Sequence, residues 1–368
     1  MDFYTLVFGS ILALIFLYTT LAKLSTKKLP PGPSAWPIIG NIHLLGAKPH
    51  ISLASLAKKY GPIMSLKLGQ ITTIVISSSS IAKQVLKNQD QAFSSRFIPN
   101  AIQGHNYCEF SVGWLPVCPQ WRTLRRILNI NIFSPNRLDA NQHLRSQKVN
   151  ELIAYCEKCC QQGEVLDDLF LAATDTTTST LEWAMAEILK QPEIMKKVQV
   201  ELAKIIGKGK SIEEADVTRL PYLQCIIKET LRMHPPAPFL VPRKVEQDVE
   251  LFDYIIPKGS QVLVNVWSIG KDFTFWDEPL VFKPERFWGS DLDMRGQDFD
   301  LIPFGAGRRI CPGFPLALRI VPVILGSLLN SFDWKLEADN GPEDLDMEEK
   351  FGITLAKAHP LRVIPFLL

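Results

Sequence analysis

The segment from Phe304 to Gly313 constrains the fold of this chain more than any other, because it combines three glycines, two arginines and one cysteine. Glycine has no Cβ, so the backbone here can approach a flat partner closely and adopt φ values that other residues avoid. Cys311 stands where an apolar helix begins, and the free N–H groups at a helix start stabilise a thiolate. Alternatively, a single cysteine is simply a small buried hydrophobic residue.

A thiolate beside a flat apolar ligand with acidic arms is the arrangement that a thiolate-ligated haem needs. The segment resembles the haem-binding signature of the cytochrome P-450 family of haem-thiolate monooxygenases, Phe-x-x-Gly-x-Arg-x-Cys-x-Gly. Five fixed residue types give a chance match on the order of 10⁻⁴ in a chain of this length. The resemblance implies haem b as cofactor, Cys311 as the axial ligand of its iron, and Phe304 and Arg309 as cofactor-binding residues.

Two charged motifs resemble the family's Glu–Arg–Arg cluster, which holds the loop that presents the thiolate. Glu229 and Arg232 are three residues apart, so on a helix both charges lie on one face. The resemblance implies Arg286, in the motif Pro-Glu-Arg-Phe, as the third member. A carboxylate shared by two guanidinium groups tolerates burial. The alternative is an exposed ion pair, which contributes less than ~1 kcal/mol.

A third motif resembles the family's clamp for the haem propionates. Trp121 and Arg125 are four residues apart, so a helix places the indole N–H and the guanidinium on one face. Arg96, Arg243 and Arg309 stand where relatives place further propionate ligands. A single arginine of this kind is typical of a protein surface, so the prediction of a clamp depends on all of these residues occurring together.

The segment Ala172–Thr177 is similar to the family's oxygen-activation motif. The resemblance implies catalytic roles for Thr176, which bonds the distal oxygen, and Asp175, which relays protons from water. Alternatively, Thr176 only bonds back to the carbonyl of Ala172. Ala173 stands where relatives commonly have glycine, and its methyl group narrows the groove, so we expect slower or less coupled turnover.

The chain is short between the clamp motif and the oxygen motif. Relatives place several helices there, which would need on the order of 85 residues, yet residues 134–165 supply room for about one polar helix. We interpret this as an internal deletion that removes the roof of the substrate pocket. We expect apolar faces to be left exposed and water to reach the distal side of the haem.

The N-terminus contains an uncharged apolar run, Phe3–Ala22, which as a helix is about 30 Å long and matches a bilayer core. It predicts a transmembrane anchor over residues 1–24, in the endoplasmic reticulum membrane by resemblance. The lysines that follow it predict a cytosolic body. The alternative is a buried helix of a globular core. The proline-rich residues 25–37 predict a stiff elbow that sets the tilt of the body on the membrane; the alternative is a plain linker.

Residues 38–368 are expected to form a single haem-binding catalytic domain, internally shortened near 134–165. The periodicity predicts a mainly α protein with a small β-sheet (α+β), which is the cytochrome P-450 fold without several helices. Residues 63–68 and 71–77 predict a hairpin around Gly69, and a short strand is expected around Pro238–Pro242.

Charge and cysteine content exclude other classes. The net charge of +2 gives no basic excess for nucleic-acid binding. Seven cysteines rule out a disulfide scaffold. Cys156, Cys159 and Cys160 lack the further ligands that a zinc site needs, so they predict a group of exposed, reactive thiols.

The resemblance implies a monooxygenase that inserts one atom of O₂ into a small apolar substrate, terpenoid-like or phenolic. Residues 60–66 and 181–187 are most similar to plant microsomal enzymes of the geraniol 8-hydroxylase-like group. The electrons would come from NADPH through a membrane-bound NADPH–cytochrome reductase, with Arg122, Arg126 and Arg308 as candidate contacts. One alternative is a truncated, catalytically impaired haem-binding protein without turnover. A rearrangement enzyme of the same fold is a third possibility, against which Asp175 and Thr176 argue.

Overall fold

The structure of the protein is a computed structural model that describes residues 3–4, 9–10, 13, 28–165, 175–337 and 341–368. Most of the predicted anchor lies outside the described residues, as do residues 172–174 of the oxygen motif. The described part of the elbow packs on the body, because the amide of Ser65 donates to the carbonyl of Pro31 at 2.9 Å. The next residue, Gly32, lies so close to Ser65 that a Cβ would be 1.8 Å from its carbonyl oxygen.

Helices form most of the regular structure, as the periodicity predicts. Several begin with proline at the first helical position, where the missing N–H costs nothing. The α-helices are α1 (Pro49–Tyr60), α2 (Ser79–Lys83), α3 (Pro119–Ile127), α4 (Pro135–Ala140), α5 (Gln142–Gln162), α6 (Asp175–Lys190), α7 (Pro192–Ile205), α8 (Pro221–Met233), α9 (Val266–Ile269) and α10 (Phe314–Ser331).

The strands are short and form one five-stranded sheet and three two-stranded antiparallel sheets. They are β1 (Ile63–Leu68), β2 (Ile71–Ile76), β3 (Ser95–Arg96), β4 (Arg243–Lys244), β5 (Val249–Leu251), β6 (Tyr254–Ile256), β7 (Gln261–Val264), β8 (Phe332–Leu336), β9 (Glu349–Lys350), β10 (Ala356–Lys357) and β11 (Val363–Leu367). The larger sheet has the order β1-β2-β7-β4-β3, and β2 runs parallel to β7. The mainly α architecture with small sheets confirms the predicted α+β class.

The predicted hairpin around Gly69 is confirmed. β1 and β2 are antiparallel with Leu68 opposite Ile71, and Gly69 adopts a φ of +62° in the tight turn between them. The strand expected around Pro238–Pro242 is wrong. Leu240 there has a φ of +54° and its amide donates to the carbonyl of Ala237, so these residues form a tight turn.

The hydrophobic core is divided between the helices and the sheet. The larger cluster joins α5, α6, α7, α8 and α10, with Trp334 and Val363 from the paired strands β8 and β11. A second cluster lies around β2 and β7 and includes Val85, Leu86 and Phe93. The site described below lies where the two clusters meet.

Between α3 and α6 the described residues hold only α4 and the long helix α5. Gly163 ends α5 in the left-handed conformation with a φ of +65°, as its position after the polar run predicts. The expectation of exposed reactive thiols on this helix is wrong for two of the three cysteines. Cys156 and Cys159 are buried in the helical core, and burial raises the pKa of Cys156 to about 12.

Among the described residues, one helix is long and apolar enough to cross a membrane, and it is α10. Half of its residues are buried inside the protein, and it packs against α5, α6, α7 and α8. These contacts are those of a core helix.

Candidate active site

A cavity of about 580 Å³ lies between α6, α8, α10 and the turn before β4. This volume is typical of cofactor and small-molecule sites. Its wall contains residues of the haem-binding signature, of the oxygen motif and of the further propionate ligands, but neither Trp121 and Arg125 nor the Glu–Arg–Arg cluster. The predicted site residues in the wall are Arg96, Thr176, Arg243, Phe304, Arg309 and Cys311.

The loop before α10 presents Cys311 to this cavity. The Cys311 amide donates to the carbonyl of Phe304 at 3.0 Å, which closes the loop. Gly307 has a φ of +67°, and a Cβ on it would lie 1.9 Å from the carbonyl oxygen of Leu86. No other residue type fits this position without a backbone shift, which explains the central glycine of the motif.

Two opposed effects act on the Cys311 thiol. Burial raises its pKa, whereas the backbone N–H groups of Gly313 and Phe314 and the charge of Arg125 lower it. Burial is the larger effect, so the helix start alone does not produce the thiolate that the sequence suggests. A cation bonded to the sulfur would supply the missing stabilisation.

Three arginines line the cavity, and a fourth lies beside it. Burial lowers the pKa of Arg96, Arg125, Arg243 and Arg309, and in Arg96 repulsion from the other three adds to it. None of the four forms an ion pair with a carboxylate of the described residues. Four crowded cations around an apolar cavity that also presents a thiol fit a flat ligand with two acidic arms. These residues therefore fit haem and its propionates.

The clamp residues Trp121 and Arg125 do not line the cavity but contact the cysteine loop. Trp121 is buried, and its indole Nε1 donates to the carbonyl of Val112 at 3.0 Å. The Arg309 guanidinium lies 4.6 Å from the centre of the Trp121 ring. Arg125 donates to the carbonyl of Ile310, directly before the cysteine, at 2.7 Å. Both clamp residues thus contact the cysteine loop and its neighbours, and a direct bond from Trp121 to a propionate stays a prediction.

The predicted oxygen-site residues lie at the first turn of α6. Thr176 and Thr177 line the cavity, whereas Asp175 does not. Asp175 and Thr176 are both exposed to solvent. The carbonyl of Thr176 accepts a 2.8 Å hydrogen bond from the hydroxyl of Thr180, one turn later. The proposed partner of Thr176, the Ala172 carbonyl, lies outside the described residues.

The structure brings Glu229, Arg232 and Arg286 together away from the cavity. Arg232 donates to both carboxylate oxygens of Glu229, at 2.7 and 2.8 Å, and Arg286 donates to Oε1 at 2.9 Å. The Glu229 and Arg232 side chains are completely buried. The Lys283 amide also donates to Glu229. This cluster therefore joins α8 to the chain that leads to the cysteine loop.

Sequence reasoning missed the apolar part of the cavity wall. It includes Ile227 and Leu231 on α8, Leu318 and Val321 on α10, and Leu240 in the turn. On the two helices the signal is present, because these residues recur three or four positions apart. Leu240 gives no such signal, because its position depends on a left-handed backbone conformation within a proline-rich segment.

Comparisons with known proteins agree with this geometry. The family model described as Cytochrome P450 matches the chain in two parts, residues 30–168 and 163–361. Geraniol 8-hydroxylase from Catharanthus roseus is 51% identical over 491 aligned positions, covering 99% of each chain. Geraniol 8-hydroxylase from Swertia mussotii is 50% identical over 489 positions, with 99% of each chain covered. A 7-ethoxycoumarin O-deethylase from Helianthus tuberosus is 45% identical over 487 positions, again covering 99% of each.

Proposed function

The chain belongs to the cytochrome P450 family of monooxygenases, and from this premise we propose that it binds haem b through Cys311 and hydroxylates a small apolar substrate. The observation that carries the proposal is that one cavity is lined by Cys311, by three arginines and by Thr176. Haem, when bound, supplies a redox-active iron. The protein supplies the groups that bind the propionates, support the cysteine loop and deliver protons.

Each predicted site residue has a distinct task in this proposal. Arg96, Arg243 and Arg309 neutralise the propionates, because all three line the cavity and concentrate positive charge in its wall. Phe304 packs edge-to-face on Phe314 at 4.9 Å and fixes the loop beside the sulfur. Trp121 and Arg125 hold that loop from the other side, and the cluster of Glu229, Arg232 and Arg286 supports it from a distance.

Proton delivery is proposed for the first turn of α6. The Asp175 carboxylate accepts protons from solvent, to which it is exposed, and the Thr176 hydroxyl carries them into the cavity. Delivery to a fixed position is needed because cleavage of the O–O bond consumes two protons.

The proposed substrate is terpenoid-like or phenolic. The apolar wall formed by Ile227, Leu231, Leu240 and Val321 favours a molecule with few polar groups. The relatives named above act, by their names, on geraniol and on 7-ethoxycoumarin. Both molecules are small and largely apolar, and geraniol is therefore the first substrate to test.

The electrons are proposed to come from NADPH through an NADPH–cytochrome reductase. Arg122 and Arg126 are exposed on α3, and Arg308 is exposed in the cysteine loop, where it pairs with Asp90 at 3.2 Å. These three arginines are the proposed contacts for an acidic partner. Anchoring of residues 1–24 in the endoplasmic reticulum membrane, with residues 38–368 as one cytosolic domain, would place the two proteins on the same surface. Support for the anchor comes from the apolar run Phe3–Ala22 and the lysines after it.

We also propose that the chain lacks an internal segment of the family fold. Two observations support this. The family model matches in two parts that meet at residues 163–168. The alignment with the Catharanthus enzyme spans 491 positions, far more than the 368 residues that this chain has to fill them.

A second function is favoured by the solvent exposure of Asp175 and Thr176. Water that reaches this turn competes with guided proton delivery. A catalytically impaired haem-binding protein, without turnover, is the alternative that this observation supports.

One experiment separates the two functions. The full chain is produced with a haem precursor, reduced, and treated with carbon monoxide. We expect the red-shifted band of a thiolate-ligated haem, and we expect Cys311→Ser to abolish it. Product from geraniol with NADPH and a reductase supports the monooxygenase; a band without product supports the impaired haem binder. Absence of the band from the wild-type protein contradicts both.

A further inference from the structure

A buried polar cluster lies behind the cavity and outside the site described above. It consists of His50, Trp183, Glu187, His234 and Glu349, which come from α1, α6, the end of α8 and β9. Nε2 of His234 contacts Glu187 Oε1 at 2.7 Å, and its Nδ1 lies 3.5 Å from Glu349 Oε1. His234 also stacks on Trp183, with the ring centres 3.9 Å apart and the planes parallel within 1°.

The cluster is almost free of solvent, and two lysine side chains lie beside it. His50 contacts the other oxygen of Glu349 at 2.7 Å, and the indole of Trp267 donates to the same carboxylate at 3.2 Å. Lys271 lies over the Trp267 ring and Lys357 over the Trp183 ring. Groups buried in this way hold their geometry rigidly, because breaking any contact leaves a charge without a partner.

The residues that follow His234 form one wall of the cavity. Residues 235–242 include four prolines, so half of this segment has no backbone N–H with which to join a sheet. Three of its carbonyls accept backbone hydrogen bonds from other segments: Pro236 from Leu355 at 2.8 Å, Pro238 from Trp267 at 3.4 Å and Pro242 from Phe97 at 3.1 Å. The segment nevertheless holds Leu240 at a φ of +54°. Contacts other than the hydrogen bonds of a sheet must therefore fix the position of the first residues of this segment.

The first turn of α6 also lines the cavity, and one face of this helix reaches the segment. Thr176 lines the cavity, and the Ser179 hydroxyl donates at 2.7 Å to the carbonyl of Leu355, whose amide bonds Pro236. Further along the same face, Trp183 and Glu187 hold His234. The contacts through Leu355 and those of His234 with α6 therefore connect this helix to the segment 235–242.

From this juxtaposition we infer that His234 is a positioning residue, which sets the distance between the cavity-lining segment 235–242 and α6 and thereby the affinity for substrate. The inference rests on the proposed function for the identity of the site. His234 does not line the cavity, so it acts only through the segment that follows it.

The first test compares His234→Phe with His50→Phe. Phenylalanine keeps the stacking on Trp183 but loses both polar contacts of His234. His50 is the matched control, because it is equally buried and contacts the same Glu349, but α1 carries no cavity-lining residue. In the haem-loaded full chain, His234→Phe should weaken geraniol binding, measured by the spectral shift, about tenfold. Imidazole, which needs only the iron, should bind as in the wild type.

A general loss of stability would weaken the binding of imidazole as well as of geraniol, or would weaken geraniol binding equally in His234→Phe and His50→Phe. His234→Gln restores a donor toward Glu187 and should recover part of the geraniol affinity. Equal geraniol affinity in His234→Phe and the wild type, or equal losses in the His234→Phe and His50→Phe variants, would overturn the inference.

The second test does not need haem. Amide hydrogen exchange in the full chain should rise in the segment 237–243 of His234→Phe and stay unchanged there in His50→Phe. Unchanged exchange in both variants would overturn the inference. If the wild-type protein shows no haem band or no geraniol shift, the proposed function fails, and the exchange measurement still decides whether His234 positions the segment.

Discussion

At the scale of single residues, this protein depends on positions where only one side chain fits. Gly307 allows the cysteine loop to pass against Leu86, and Glu229 neutralises two buried guanidiniums. Neither residue touches the cavity, yet both determine where Cys311 lies. Their substitutions should therefore affect stability and haem uptake together.

Gly307→Ala should destabilise the protein by at least about 3 kcal/mol, because a Cβ there meets a backbone oxygen and the φ is positive. Gly289→Ala is the matched control: its φ is +68°, but no atom lies within 4 Å of the new Cβ. It should cost only the conformational strain of about 1–2 kcal/mol. Denaturant unfolding in detergent measures both. Equal costs would show that the contact with Leu86 relaxes.

Glu229→Gln should lower the free energy of unfolding by about 3–5 kcal/mol, because it leaves buried guanidinium charge without its counterion. Glu151→Gln is the control, since Glu151 forms a fully solvated pair with Lys148, and it should leave the unfolding midpoint unchanged. A small effect of Glu229→Gln would mean that the backbone carbonyls around Arg232 and Arg286 suffice to hold them.

At the scale of elements, the joints between helices and strands contain the buried charge. Lys271, just after α9, donates to the carbonyl of Met233 at the end of α8, and burial lowers its pKa to about 7. Glu349 in β9 lies against His50 and His234; burial acts to raise its pKa, but these contacts and Lys271 hold the pKa well below the usual range. The contacts of Lys271 and Glu349 hold the end of α8 and the turn after it, so protonation of these side chains affects the stability of the fold.

Lys271 should make stability depend on alkaline pH. Its pKa is lowered from 10.5 in the unfolded chain to about 7 in the folded one, so the unfolded state binds more protons between these values. Its contribution to stability therefore rises as the pH increases from 7 to 10.5 and is constant outside that window. The difference in unfolding midpoint between the wild type and Lys271→Met should show this rise. A difference that is flat with pH would contradict it.

At the scale of the whole molecule, the cysteine loop and the helices that pack around it are present. Between α3 and α6, however, the only α-helices among the described residues are α4 and α5. Large apolar side chains remain exposed near this region, among them Tyr107, Phe110 and Ile130. Surfaces of this kind favour association between molecules. The shortened segment therefore bears on solubility as well as on turnover.

Insertion of the corresponding segment of Catharanthus roseus geraniol 8-hydroxylase at residues 163–168 should increase the fraction of NADPH electrons that appear in product. The added helices would cover the exposed first turn of α6 and exclude water from it. Product formed per NADPH consumed measures this, with the unmodified chain as control. An unchanged ratio would show that the missing segment does not limit coupling.

The sequence alone determined the local features of this protein, because each depends on residues close together in the chain. The loop around Cys311, the pairing of Glu229 with Arg232, the hairpin at Gly69 and the helix end at Gly163 all follow from spacing of a few residues. Membership of the cytochrome P450 family follows from the same short motifs.

Tertiary structure alone decided what distant segments do to one another. The burial of Cys156 and Cys159, the turn at Leu240 in place of a strand, and the contacts among His50, Glu187, His234 and Glu349 have no local signal. Hydrophobic burial brings these segments together from across the whole chain, and the charge state and backbone conformation of each residue follow from the neighbours that it meets there.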